Sequence, residues 1–177
     1  MKELSGAHVF ADESKRGSYL LVAVPFAAHD RQRARKRIRS LIHPGSSDIH
    51  MKREGDAHRK RILGGLSELG ITAIVIESRA GRDRVDRRGC LAALYRRLHD
   101  DAAGRLVLET DESLLKWDRQ TMFQIAAEVG HPQLEYGWCP RRAEPLLWTA
   151  DAVAWCYARG GSWRRDVQRL IGEVMQV

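Results

Sequence analysis

Short apolar runs bounded by polar turns open the chain. Ala7 to Ala11 ends in Asp12-Glu13-Ser14, the pattern of a buried strand that reaches a polar rim. After the Lys15-Arg16-Gly17 turn, Ser18 to Phe26 reads as a second strand, paired with the first as a hairpin. Pro25 closes it or sits on an unpaired edge. The apolar period then lengthens. His29 to Ile42 predicts a helix with Ile38, Leu41 and Ile42 on one side, and Ala57 to Leu69 predicts another that stops at Gly70. Between them, His43 to Ser47 is a loop and Asp48 to Lys52 a short extended piece. Ile71 to Glu77 is the clearest strand. Asp86 to Ala103 predicts a helix ended by Gly104, and Arg105 to Glu109 a strand. Asp118 to Val129 is a helix stopped by Gly130 and Pro132, followed by a last strand from Gln133 to Trp138. Glu144 to Arg159 and Ser162 to Met175 are the closing helices, parted by Gly160-Gly161.

A hairpin, two helices, then alternating strands and helices predict an α/β domain with a mixed sheet that is parallel in part. The 177 residues suit one domain over 1–177, with 27–70 as a basic helical insertion after the first hairpin. No apolar run approaches the roughly 20 residues of a membrane span. Met1 to Gly6 carries no signal-peptide core, so a non-exported protein is expected.

Charge adds a partner class. Thirty Lys and Arg against 23 Asp and Glu leave a formal net charge of +7. The excess is mostly arginine, whose planar fork suits phosphate. It gathers in three blocks: Arg31 to Arg39, Lys52 to Arg61, and Arg79, Arg82, Arg84, Arg87 and Arg88. Arg35, Arg39, Lys52, Arg53 and Arg59 are the candidate contacts to a nucleic-acid backbone, DNA or RNA. Charge alone fits solvated helix faces equally well. Cys90, Cys139 and Cys156 form no CxxC pair; Cys90 and Cys156 fall in apolar helical patterns, and a reducing cytoplasm is the simplest setting.

Three carboxylates stand where solvation does not explain them. Asp12 and Glu109 each end an apolar strand, at the rim where open α/β sheets place ligands. If those strands are neighbours the two acids approach, a conflict that a divalent cation resolves. Asp111 shares the strand parity of Glu109 and is an alternative partner. Asp151 lies in the apolar helix Leu146 to Cys156, where either an arginine or a metal must satisfy it. Oxygen donors from two strands and a helix suit Mg²⁺ or Mn²⁺, and paired divalent ions serve phosphodiester hydrolysis. His50 either faces this site as a proton shuttle or is a loop histidine without a special role. The five tryptophans offer base stacking or core packing, with Trp148 and Trp155 assigned to packing. There is no P-loop, dinucleotide fingerprint or Ser-His-Asp order.

Asp12-Glu13-Ser14 after the first strand, Ile49-His50-Met51-Lys52 before a basic helix, Val107-Leu108-Glu109, and Ala150-Asp151 in an apolar C-terminal helix together resemble the family catalogued as domain of unknown function 3800. That family is similar to the ribonuclease H-like superfamily, and the resemblance spans nearly the whole chain. It implies a five-stranded mixed sheet flanked by helices. It also implies a divalent-metal-dependent nuclease with Asp12, Glu109 and Asp151 as catalytic ligands, and Glu13 or Asp111 as an outer partner. Three departures bear on catalysis. Lys15 stands where the family often has glycine, Leu147-Trp148 where it has Leu-Gln, and Glu109 where aspartate is commoner. A catalytically degenerate nucleic-acid- or protein-binding module, such as a toxin or defence component, is the alternative.

Overall fold

A computed structural model describes residues 4–79, 81, 83–130 and 134–177. Its six strands are β1 (His8–Ser14), β2 (Tyr19–Phe26), β3 (Ala73–Ser78), β4 (Arg105–Glu109), β5 (Glu135–Cys139) and β6 (Ile171–Gln176). They form one mixed sheet in the order β5-β4-β1-β2-β3-β6. β2 runs antiparallel to β1 and β3, whereas the pairs β1–β4, β4–β5 and β3–β6 are parallel. Six helices flank it: α1 (Arg31–Arg39), α2 (Asp56–Glu68), α3 (Asp83–Asp100), α4 (Leu115–Val129), α5 (Leu147–Arg159) and α6 (Gly161–Val167). The arrangement is consistent with a ribonuclease H-like α/β fold, with α1 and α2 inserted between β2 and β3.

Strand alternation sends successive side chains to opposite faces, and the sheet is buried on both. Phe10, Val22, Val24 and Val75 pack under α1, α2 and α5, while Val9, Ala11, Leu21 and Ile76 pack under α3 and α4. Asp12 and Glu109 share the parity of Phe10 and Val107 and so take the α5 face. Glu13 takes the other. Pro25 pairs with Val9 of β1, but the β2–β3 ladder ends at Ala23, so the missing N–H costs no bond to β3.

The end of the chain differs from the expected helix. Helix α6 stops at Val167, the turn Gln168–Leu170 follows, and Ile171–Gln176 becomes a sixth strand beside β3. The residues Ile-Gly-Glu-Val-Met-Gln alternate partly buried and exposed, a period of two that the preceding helical spacing masks. Gly172 keeps that approach open: a Cβ would stand 2.3 Å from Thr72 Cγ2 and force the Thr72 side chain to shift. The piece Asp48 to Lys52 is likewise not extended; it leads into a turn at Met51–Glu54 that buries Ile49 and Met51. The closing helix begins at Leu147 rather than Glu144, after a 3₁₀ turn at Arg141–Ala143. Pro132 and Gln133, expected to stop α4 and begin the last strand, and Arg82 of the third basic block lie outside the described residues.

Helix α3 ends earlier than Gly104. Ala102 N–H donates to His99 C=O and Ala103 N–H to Leu98 C=O, a Schellman cap whose left-handed position is Ala102, with φ 55°. An alanine there carries a Cβ penalty of roughly 1 kcal/mol that glycine avoids. Ala102 is exposed, so Ala102→Gly loses no packing. The variant is expected to melt about 2–4 °C higher, checked by calorimetry.

Candidate acidic site

Ala11 of β1 pairs with Leu108 of β4, so the next residues, Asp12 and Glu109, are adjacent at the C-terminal rim of the parallel strands. Helix α5 packs across β1 on this face and brings Asp151 to the same point. Its apolar surroundings place it: Leu147, Ala150, Val153 and Ala154 are fully buried and press α5 onto the sheet, which turns Asp151 toward the rim. One Asp151 oxygen accepts the Met51 backbone N–H at 2.9 Å and ties the loop before α2 to the site.

The centre of the three acids is held by Arg141, which leaves the 3₁₀ turn after β5. Its Nη2 lies 3.1 Å from Asp12 Oδ2 and 2.9 Å from Glu109 Oε2, and its Nη1 lies 3.3 Å from Asp151 Oδ2. Nε donates to Glu109 Oε1 at 3.1 Å, and Nη1 also reaches Ile49 C=O at 3.3 Å. The sequence left an arginine or a metal to satisfy Asp151; the arginine does so. Arg141 was not singled out in the sequence. The available signal is its place in Cys139-Pro140-Arg141-Arg142, just past a strand that pairs with β4. Trp148 donates its indole N–H to the Arg141 carbonyl at 2.9 Å, so a polar group does stand beside the site at that position.

The charges in this cluster do not balance, since three carboxylates face one guanidinium. Burial raises the Asp12 carboxyl well above its usual range, and Asp151 and Glu109 push it further against the pull of Arg141. Burial also raises Glu109, opposed by Arg141 and reinforced by Asp151. Burial works against the charge on Arg141, but Asp151, Asp12 and Glu109 outweigh it and its pKa rises. His50 stands at the edge, Nδ1 3.7 Å from Asp151 Oδ2, too far for a hydrogen bond; burial lowers its pKa. Both His50 Nδ1 and Glu109 Oε2 are buried without a hydrogen bond, the 2.9 Å contact of the latter being ionic but poorly aligned.

The other predicted ligands are elsewhere. Glu13, on the far face of β1, pairs with Arg87, the Tyr19 hydroxyl and Lys15. Asp111 lies beyond the end of β4 and accepts the Ser113 N–H at 3.0 Å and hydroxyl at 2.6 Å, which lower its pKa. Glu13 and Asp111 do line, with Asp12 and Glu109, one open cleft of about 320 Å³.

The basic residues divide similarly. Arg35 is spent on Glu144, with Nη2 at 2.7 Å, and Arg53 on Asp48 at 2.8 Å. Arg59 bonds Asp56 and the Met51 carbonyl and stacks on Trp155 at 4.2 Å. Arg39 and Lys52 are exposed. In the third block, Arg87 is buried and Arg88 pairs with Glu128. Cys90 and Cys156 are buried, as their apolar settings predict.

A hard divalent cation suits this donor set in kind: all three acids offer oxygen, and one of those oxygens is buried without a hydrogen bond. It does not suit the arrangement with Arg141 in place. Among the described residues no group of three or more His, Cys, Asp or Glu side chains is set to hold a metal ion. No protein-family model matches the sequence, and no curated protein matches it. No helix among the described residues is long and apolar enough to cross a membrane.

Proposed function

We propose that this chain is a ribonuclease H-like nuclease, akin to the family catalogued as domain of unknown function 3800, acting in the cytoplasm. It cleaves a phosphodiester of DNA or RNA at the Asp12–Glu109–Asp151 site with Mg²⁺ or Mn²⁺. The observation that carries this reading is the convergence of three carboxylates from β1, β4 and α5 on one point, with two of them, Asp12 and Glu109, also lining a cleft. Two strand ends and a separate helix gather a surplus of negative charge at a buried rim, which is unfavourable for folding alone and useful for holding a cation. The ion, when bound, supplies an activated water and stabilises the leaving oxygen. The three acids would hold it, His50 would pass a proton, and Arg39 and Lys52, both exposed, would meet the nucleic-acid backbone.

A second reading is favoured by Arg141: a binding module in which the arginine permanently replaces the ion. One experiment separates the two. Labelled single-stranded RNA and DNA, duplex DNA and an RNA–DNA hybrid are incubated with Mn²⁺ and wild type or Glu109→Gln. Cleavage by wild type that disappears with chelator and falls at least tenfold in Glu109→Gln supports the nuclease. Retention of nucleic acid without cleavage, unchanged in Glu109→Gln, supports the module and ends the nuclease reading.

A further inference from the structure

We propose that the open face of β4 and β5 seats a single strand of nucleic acid, gripped through its phosphates by Arg31, Arg105 and His8. This rests on the nucleic-acid reading above, but it needs no metal ion. In β4, Leu106 and Leu108 are buried on the α3–α4 face, whereas Arg105 is exposed and Val107 and Glu109 are half-buried on the other. β5 continues that uncovered face with Glu135, Gly137 and Cys139, none of them fully buried. The floor at Val107 and Gly137 therefore carries no charge, and Gly137 adds no side chain to it.

The cations stand at one end. His8, Arg105 and Glu135 lie side by side across β1, β4 and β5. The Arg105 guanidinium extends over Gly137, where an added Cβ would meet its Nη2 at 3.8 Å. Arg31, at the start of α1, donates to His8 Nδ1. A guanidinium can only donate, so Nδ1 accepts, the imidazole is neutral, and Nε2 keeps its proton as a further donor. Burial lowers the His8 pKa, and Arg31 and Arg105 lower it further against the pull of Glu135. Among the described residues neither Arg31 nor Arg105 forms an ion pair with a carboxylate. Arg35, by contrast, is spent on Glu144. Two uncompensated guanidinium forks and an imidazole N–H thus gather in one place, a donor set that suits phosphate oxygens.

Length and width select the occupant. From Arg105 to Glu109 the face runs about 13 Å, and its two strands lie about 5 Å apart. A strand held at Arg105 and reaching the Asp12–Glu109 rim must lay more than one nucleotide along the face, while a duplex is too broad to lie on it. Arg141, among the acids at that rim, limits their repulsion of the strand. With an uncharged floor and no aromatic side chain on it, the grip is on the backbone and carries no sequence preference.

The test is fluorescence anisotropy of labelled oligo-dT and oligo-U, with chelator present. The proteins are wild type, Arg31→Gln/Arg105→Gln, and Lys116→Gln/Arg119→Gln, which removes equal charge from exposed positions of α4 on the other side of the sheet. Wild-type affinity is expected to fall steeply between about 50 and 200 mM salt. Arg31→Gln/Arg105→Gln is expected to bind roughly tenfold more weakly, with a salt slope shallower by about 1.4, the value for two single-strand phosphate contacts. The α4 variant is expected to match wild type. Equal losses in both variants, tighter binding of duplex than of single strand, displacement by poly-glutamate as readily as by oligonucleotide, or no binding at all would overturn the surface. Binding is read apart from cleavage. A nuclease whose affinity is unmoved by Arg31→Gln/Arg105→Gln loses this surface and keeps its function; a strand bound here and never cut keeps the surface and ends the nuclease reading. Should Arg31→Gln/Arg105→Gln not fold, wild type decides through its backbone amide resonances. Those of Val107, Gly137 and Cys139 are expected to shift on addition of oligo-dT while those of α4 stay in place, and the reverse would overturn the proposal.

Discussion

Asp118→Ala is expected to lower stability by about 3–5 kcal/mol, the range for removing one partner of a buried ion pair. Asp118 is fully buried on α4 and receives two parallel bonds from Arg87 of α3, at 2.7 Å from Nε and 2.7 Å from Nη2. The remaining Nη1 reaches Glu13 on β1 and donates to the Tyr19 hydroxyl of β2 at 2.9 Å. Two helices and two strands thus meet on one guanidinium. Alanine would leave that guanidinium buried with two of its three partners, and the charge, not the lost bonds, carries most of the cost. Urea unfolding at constant slope measures it; each kcal/mol corresponds to about 2–4 °C in melting temperature for a chain of this size. Glu13→Gln should cost less, because Glu13 is partly open to solvent and leaves the Asp118 pair intact. A loss below about 1 kcal/mol in Asp118→Ala would mean that Glu13 alone neutralises Arg87.

This network also shows where sequence reading reaches its limit. Asp118 and Arg87 each sit in a polar stretch of α4 or α3 and their partnership spans 31 residues, so no local pattern pairs them. The hairpin, β3, β4 and the central helices were legible because their apolar periods are long and clean. Asp12, Glu109 and Asp151 were legible for the related reason that each interrupts such a period. Glu13 was misplaced by one residue of parity, which in a strand is the difference between faces. The sixth strand was missed because Trp163, Val167 and Leu170 set up a helical spacing that runs into Ile171 without a break in hydrophobicity. Arg141 has no signal in the sequence beyond its place just past β5. Its meaning comes from the β4–β5 pairing, which brings a turn residue near Glu109, and no local pattern encodes that.

Asp12→Asn is expected to abolish cleavage and, at neutral pH, to make the protein more stable. The loss of activity should exceed the roughly 10–100-fold that follows removal of an outer partner of a metal site, because the proposed function makes Asp12 a direct ligand. The gain in stability follows from the charge surplus. Asp12 is raised in the folded state by burial and then by Asp151 and Glu109, so folding favours its protonated form. Such a group contributes stability fully below its unfolded value near 3.9 and loses that contribution as pH rises through the folded value. Glu109, also raised, acts in the same sense. Asp12 and Glu109 therefore favour a metal-free wild type that gains stability as pH falls from 7 toward 5, while His50 and His8, whose pKa values burial lowers, oppose that gain over the same window. Asparagine supplies a neutral side chain of the same shape at every pH. The variant should accordingly gain about 0.5–2 kcal/mol at pH 7, the usual return for relieving one unfavourable active-site group. That gain over wild type should also shrink as pH falls across the window, because Asp12 becomes protonated in the folded wild type. Melting curves at pH 5, 6 and 7 in the presence of chelator test both statements. A variant less stable than wild type at pH 7 would show that the Arg141 ion pair outweighs the crowding of the acids. The site would then be a structural salt bridge, with no charge surplus held in reserve for a cation.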